Sequence, residues 1–207
     1  MTLRLAGSTS GYTEIDCPSV GGNNTLVLPT GNGSADQALV TNGSGTLSFA
    51  DRGRMVLETA QATTSGTSKD FTGIPSWVKR ITVIINGVST SGSSTTQVQI
   101  GSGSFTTSGY AGSYTQVAAS NSQANFTSGF ALSLCDSATV AVGTAVLNLI
   151  SGNTWIYASN IGRTNQVQST IAAGLLALSG TLDRVRITTV NGTDTFDAGS
   201  INILYEG

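Results

Sequence analysis

The chain has 207 residues, with Lys and Arg totalling 9, Asp and Glu totalling 11, no His, and a formal net charge of −2. So few cations exclude the clustered basic footprint of a nucleic-acid-binding protein. The missing histidine removes the commonest general base and metal ligand. Gly is abundant at 26 and Pro scarce at 3, while low charge argues against ordinary disorder, so the composition suits strands joined by polar turns.

Residues 1–52 form one compositional unit. MTLRLAGSTSG has one Arg and no hydrophobic run after it, so it does not read as a secretory signal. Short strands are predicted at Tyr12 to Cys17, Thr25 to Leu28, Gln37 to Thr41 and Thr46 to Phe49. Between them lie SVGGNN, PTGNGSAD and NGSG, whose Asn-Gly pairs tolerate positive φ and favour tight turns. Strands this short bury little alone. Leu26, Leu28, Leu39, Val40, Leu47 and Phe49 therefore need a partner surface, either the rest of the chain or copies of the same segment wrapped as a fibrous shaft.

Residues 53–207 read as a second domain with longer, more apolar strands. RMVLETAQ leads, and KRITVIIN puts Ile81, Val83 and Ile85 on one face. TTQVQIG, SGFALSLC, TVAVGTAVLNLIS, TWIYASN, RVRITTV and SINILYE follow as strands. TIAAGLLALS has the length of a short helix, but Gly174 and its β context favour a strand. The predicted fold is all-β, with two packed antiparallel sheets in a jelly-roll-like sandwich. Val146 and Ile150 oppose Leu147 and Leu149, and Leu204 opposes Ile201 and Ile203. Apolarity on both faces predicts an outer face that meets another subunit, or else a loop of the same chain. The longest apolar run, Ile171 to Leu178, is far shorter than the ~20 residues that span a bilayer, so no membrane insertion is expected.

Chemistry is sparse. No His activates the many serines, and a Ser–Lys pairing has Lys69 and Lys79 to draw on. Asp183, Asp194 and Asp197 are the nearest approach to a carboxylate group, and in NGTDTFDAGS they read as turn closers. Cys17 and Cys135 are far apart and form no CxxC, so buried free thiols are favoured, with a disulfide as the alternative. No catalytic residue, cofactor or metal is therefore predicted. GSGSFTTSGYAGSYTQ sets Phe105, Tyr110 and Tyr114 among Ser, Thr and Gly, the composition of an adaptable recognition loop. These three are the candidate receptor contacts, whereas Trp155 and Tyr157, two apart, are expected to pack in the core.

The segments LPTGNG and ALVTNGSGTLSFA resemble the stretch that precedes the terminal domain in many tailed-bacteriophage fibre proteins. FTGIPSWVKRITVIINGVSTSG and TLDRVRITTVNGTDTFDAGSINILYEG resemble a C-terminal domain of phage and prophage fibres. Together they cover about half of the chain, and the middle matches in texture only. The resemblance implies a virion protein, assembled in the bacterial cytoplasm as a homotrimeric β fibre with its C-terminal domain outermost. The N-terminal segment would join another virion protein, and the C-terminal domain would meet a glycan or protein of the host surface. Typical tail fibres are longer and begin with a distinct anchoring domain, so a head fibre or capsid decoration with a stabilising role is the alternative to a tail fibre.

Overall fold

A computed structural model describes residues 3–6, 8–15, 22–23, 25–35, 37–51, 53–133 and 136–207. The chain divides into two compact units, Met1–Arg52 and Gly53–Gly207. Every named strand pairing is antiparallel, and no described residue is helical.

The first unit is built from two hairpins. Strands β1 (Leu3–Ala6) and β2 (Tyr12–Ile15) pair, as do β3 (Gln37–Thr41) and β4 (Leu47–Asp51). Between β3 and β4 the Asn42 side chain accepts the Ser44 and Thr46 amides at 2.8 and 3.2 Å, and Gly43 takes a φ of 82°. This is the Asx-type closure that an Asn-Gly pair offers. Thr25 to Leu28, expected as a strand, makes one parallel bridge from Val27 to Thr46. Pro29 cuts the segment short, because it cannot donate to a ladder. None of the residues in this unit whose side chains are described is buried. Leu26, Val27, Leu28 and Leu39 are all exposed.

The second unit holds two sheets. The smaller contains β7 (Ser68–Thr72), β17 (Arg184–Thr189) and β9 (Thr96–Ser102), in that order. The short strands β10 (Ser104–Phe105) and β13 (Phe130–Ser133) share the remaining edge of β9. The larger sheet runs β12 (Ser122–Phe126), β11 (Ala111–Val117), β16 (Ser169–Ala177), β15 (Thr154–Arg163), β14 (Ala141–Ser151), β8 (Arg80–Thr90) and β18 (Phe196–Glu206). The edge of β18 is completed by β5 (Met55–Leu57) and β6 (Gln61–Ala62). TIAAGLLALS is thus strand β16 and no helix.

The strand period places the core. Val83 is fully buried, with Ala145 and Ile203 beside it on the neighbouring strands. Ile81 and Ile85 share its face, as the alternation predicts. One row further along run Tyr205, Ile81, Leu147, Tyr157, Gly174, Gly112 and Phe126. The two glycines make room for an aromatic ring: a Cβ on Gly174 would stand 2.6 Å from Phe126 Cζ. Phe126 packs edge-on to Phe130, and Phe130 stacks on Tyr157 with centroids 4.5 Å apart. The Tyr157 hydroxyl donates to the Ala131 carbonyl at 2.8 Å, which ties the two sheets together. Both sheets contribute to this one core.

Asn86-Gly87, a pair that elsewhere favours a turn, lies within β8. Gly87 (φ 64°) faces Gly199 (φ 91°) of β18, and the register of the pair shifts there. The pair forms a bulge, and β8 continues inward-facing with Val88 and Thr90.

Candidate functional site

The three aromatic residues read as surface contacts lie in three different settings. Tyr110 is a correction: it is buried at 2 % exposure. Its hydroxyl accepts the Ile100 amide at 2.8 Å and donates to the Thr106 carbonyl at 2.9 Å, closing the loop between β10 and β11 from the inside. Its ring meets Phe130 edge-on at 4.7 Å, and burial pushes the phenol well above its ordinary pKa. The polar neighbours that suggested exposure are the loop this tyrosine staples down.

Phe105 is half-buried on β10. The Arg186 guanidinium lies 4.0 Å from its ring centroid and that of Arg184 5.6 Å away. Both arginines are held by carboxylates: Arg186 bonds Asp70 at 2.8 and 2.7 Å, and Arg184 bonds Asp183 at 2.7 and 3.1 Å. Its ring therefore already carries a cation on one face.

Tyr114 is half-buried on β11 at the end of an inward row that runs from Val83 through Ala145, Ser159 and Ala172. Among the described residues nothing hydrogen-bonds its hydroxyl. It lines a cleft of about 390 Å³ beside the outermost strands of the large sheet. The other walls are Ser93 to Thr95 between β8 and β9, Gln97 of β9, Asn125 and Phe126 of β12, Thr127 to Gly129 after it, Ala131 of β13 and Val190 after β17. Among the described residues no charged side chain lines it.

The cleft is held by local hydrogen bonds. Asp194 accepts the Ser94 amide at 2.9 Å and the Asn191 side-chain amide at 2.7 Å. Asn191 Oδ1 in turn accepts the amides of Thr193 and Asp194. These bonds, Asn191 first and then Ser94, hold the Asp194 carboxyl below the usual carboxylate range. Asp194 thus closes a turn, as NGTDTFDAGS suggests, and pins the loop after β17 to the loop after β8. Gln97, buried at 2 % exposure, accepts the Ser128 hydroxyl at 3.0 Å and donates to the Thr189 carbonyl at 3.4 Å. Nothing in the sequence marks Ser94 and Ser128, which stand in runs of Ser, Thr and Gly that look like any turn, or Gln97, one polar residue of the strand TTQVQIG.

A second feature is the outer face of the large sheet. Register sets Leu175, Ile156 and Asn148 side by side, and likewise Ala173, Ala158, Val146, Thr82, Leu204 and Leu57. Ile156, Leu175, Ile171 and Leu57 are 41 %, 48 %, 52 % and 61 % exposed. The charges that register puts on this face, Arg80 and Glu206, pair with each other at 3.4 Å. Among the described residues no loop of the second unit covers these side chains. Leu149 packs with Leu147 against the core, and Ile150, which the sequence sets on the opposite face, is exposed.

Trp155 and Tyr157 point into the core. Cys17 and Cys135 lie outside the described residues. Among the described residues no three of His, Cys, Asp and Glu gather as a metal site would require. In the comparisons with known proteins, no family model, curated protein or solved structure matches this chain.

Proposed function

We propose that this chain is a non-enzymatic structural fibre protein of a tailed bacteriophage virion, a homotrimer that contributes to host-surface attachment at the tail. In this reading residues 1–52 form the shaft-like segment that joins another virion protein. The two sheets of the second unit act as a jelly-roll-like sandwich at the outer end. The observation that carries the reading is the outer face of the large sheet, where Ile156, Leu175, Ile171 and Leu57 are exposed and the Arg80–Glu206 pair carries the charge. It spans roughly 30 Å by 20 Å over seven strands, about 600 Å², the same order as the ~800 Å² each partner gives to a standard interface. A free monomer would leave this apolar surface in water, and burial against copies of itself removes it. The first unit supports the same conclusion, because none of its described side chains is buried.

The test is the mass of the purified protein by light scattering, expected at three times that of the chain at micromolar concentration. Ile156→Asp/Leu175→Asp is expected to give a folded monomer. A monomeric wild type, or a trimer that survives both substitutions, overturns the assembly reading. Labelling on the particle by electron microscopy, expected at the tail, and the adsorption of phage lacking the protein test the virion role.

A further inference from the structure

We propose that the cleft beside Tyr114 binds a neutral saccharide. Its volume of about 390 Å³ lies within the ~300–1,000 Å³ range of small-ligand sites. Its lining combines the groups a sugar requires: hydroxyls from Ser93, Ser94 and Ser128, an amide from Gln97, and the aromatic side chain of Tyr114. Sugar C–H faces pack on an aromatic ring while their hydroxyls exchange hydrogen bonds at its polar edge. The Tyr114 hydroxyl is unpartnered among the described residues, so it remains open to a ligand. Gln97 Nε2 carries two hydrogens, of which Thr189 takes one.

The same lining discriminates against other ligands. An anion would find no Lys or Arg among the described residues of the wall, and it would approach the Asp194 carboxylate that sits on the Ser94 amide. A purely apolar ligand would leave the Tyr114 hydroxyl and the second Gln97 Nε2 hydrogen without partners, whereas the Ser94 and Ser128 hydroxyls are already bonded to Asn191 and Gln97. The walls are preorganised, since Asp194 and Asn191 fix one loop to the other and Ser128 is bonded to Gln97. Binding therefore orders few side chains, which lowers its entropic cost. A single shallow site of this kind binds at about millimolar Kd, and three copies on one trimer would raise the effective affinity by roughly 10² to 10⁴. The assignment gives the attachment role proposed above its ligand class and rests on that reading for its biological use.

The test is calorimetric and NMR titration of the full chain with maltotetraose, cellotetraose and chitotetraose, with a galacturonate tetramer as the anionic contrast. At least one neutral tetrasaccharide is expected to bind at about millimolar Kd, and the anionic one at least about tenfold more weakly. Ser93→Trp, on the exposed rim, is expected to block the cleft and cost at least about tenfold in affinity with the melting temperature unchanged. Tyr114→Phe, which keeps the ring, is expected to cost about threefold. No binding of any neutral sugar at about 10 mM, tighter binding of the galacturonate, or full affinity in Ser93→Trp overturns the assignment. Failure here with adsorption lost in phage lacking the protein overturns the cleft alone. Saccharide binding with adsorption unaffected by that deletion supports the cleft and overturns the attachment reading.

Discussion

The two units of this chain use the same vocabulary of short strands and Gly-rich turns and reach opposite states. In the second, Val83, Leu147, Tyr157 and Ile203 are buried without residual exposure. In the first, Leu26, Val27, Leu28 and Leu39 sit on hairpins or bridges and stay in water. Hydrogen-bonded pairing is common to both, so pairing is not what separates them. The difference lies in whether a second layer exists for a strand face to pack on. Among the described residues of the first unit no side chain is buried by one, and the net contribution of a hairpin's hydrogen bonds is small because water competes for them.

This contrast is sharpest when one substitution is made in both units. Val83→Asp is expected to abolish folding of the second unit, because an unpaired buried carboxylate costs at least several kcal/mol, comparable with the whole stability of a domain. Leu39→Asp is expected to leave the melting of that unit within about 0.5 kcal/mol. Circular dichroism melts of both variants check this. Equal melting temperatures would overturn the register that turns Val83 inward.

Gly174→Val comes next. The added side chain meets Phe126 and the Ala111 carbonyl, and overpacking of this kind costs about 1–3 kcal/mol. Tyr157→Phe keeps the stacked ring and removes the hydroxyl that bonds Ala131. It is expected to cost about 1–2 kcal/mol, read from urea unfolding midpoints at constant slope. Deleting residues 1–52 should leave the melting of residues 53–207 nearly unchanged, since the core lies wholly within them. A collapse of that transition would show that the first unit props up the second.

The smallest effect is on pH. The Arg184 side chain, bonded to Asp183, and the Asn191 side chain, bonded to Asp194, hold both carboxyls below their ordinary range. A depressed folded-state pKa contributes stability that is present above the unfolded value, about 4, and is lost as pH falls through the folded value. Melting temperature should therefore be flat at neutral pH and decline below about pH 4, by little because both groups are partly exposed and screened by solvent. Asp194→Asn should flatten part of that decline.

Much of the strand pattern was legible because it rests on alternation. Ile81, Val83 and Ile85 share a face for the reason the sequence suggests, and Trp155 and Tyr157 enter the core for the same reason. Strands β11 and β12 were not legible: AGSYTQV and SQANF carry few apolar residues. They became strands because Phe126 covers Gly112 and Gly174, a contact between residues distant in the chain. Tyr110 was misplaced for a related reason. Its neighbours Thr106 to Gly109 are polar, yet its ring is drawn in by Phe130, 20 positions on.

The composition and period of this chain determined that it is all-β, that its sheets are antiparallel, and which face of the long strands is apolar, because these follow from local sterics and a repeat of two. Tertiary structure alone decided that Asn86-Gly87 is a bulge, that Tyr110 is internal, and that Tyr114, Gln97, Ser94 and Ser128 meet around one cleft. Each of these depends on which distant strand lies alongside, Gly199 opposite Gly87 or β13 beside β9, and one strand's sequence holds no record of its neighbour.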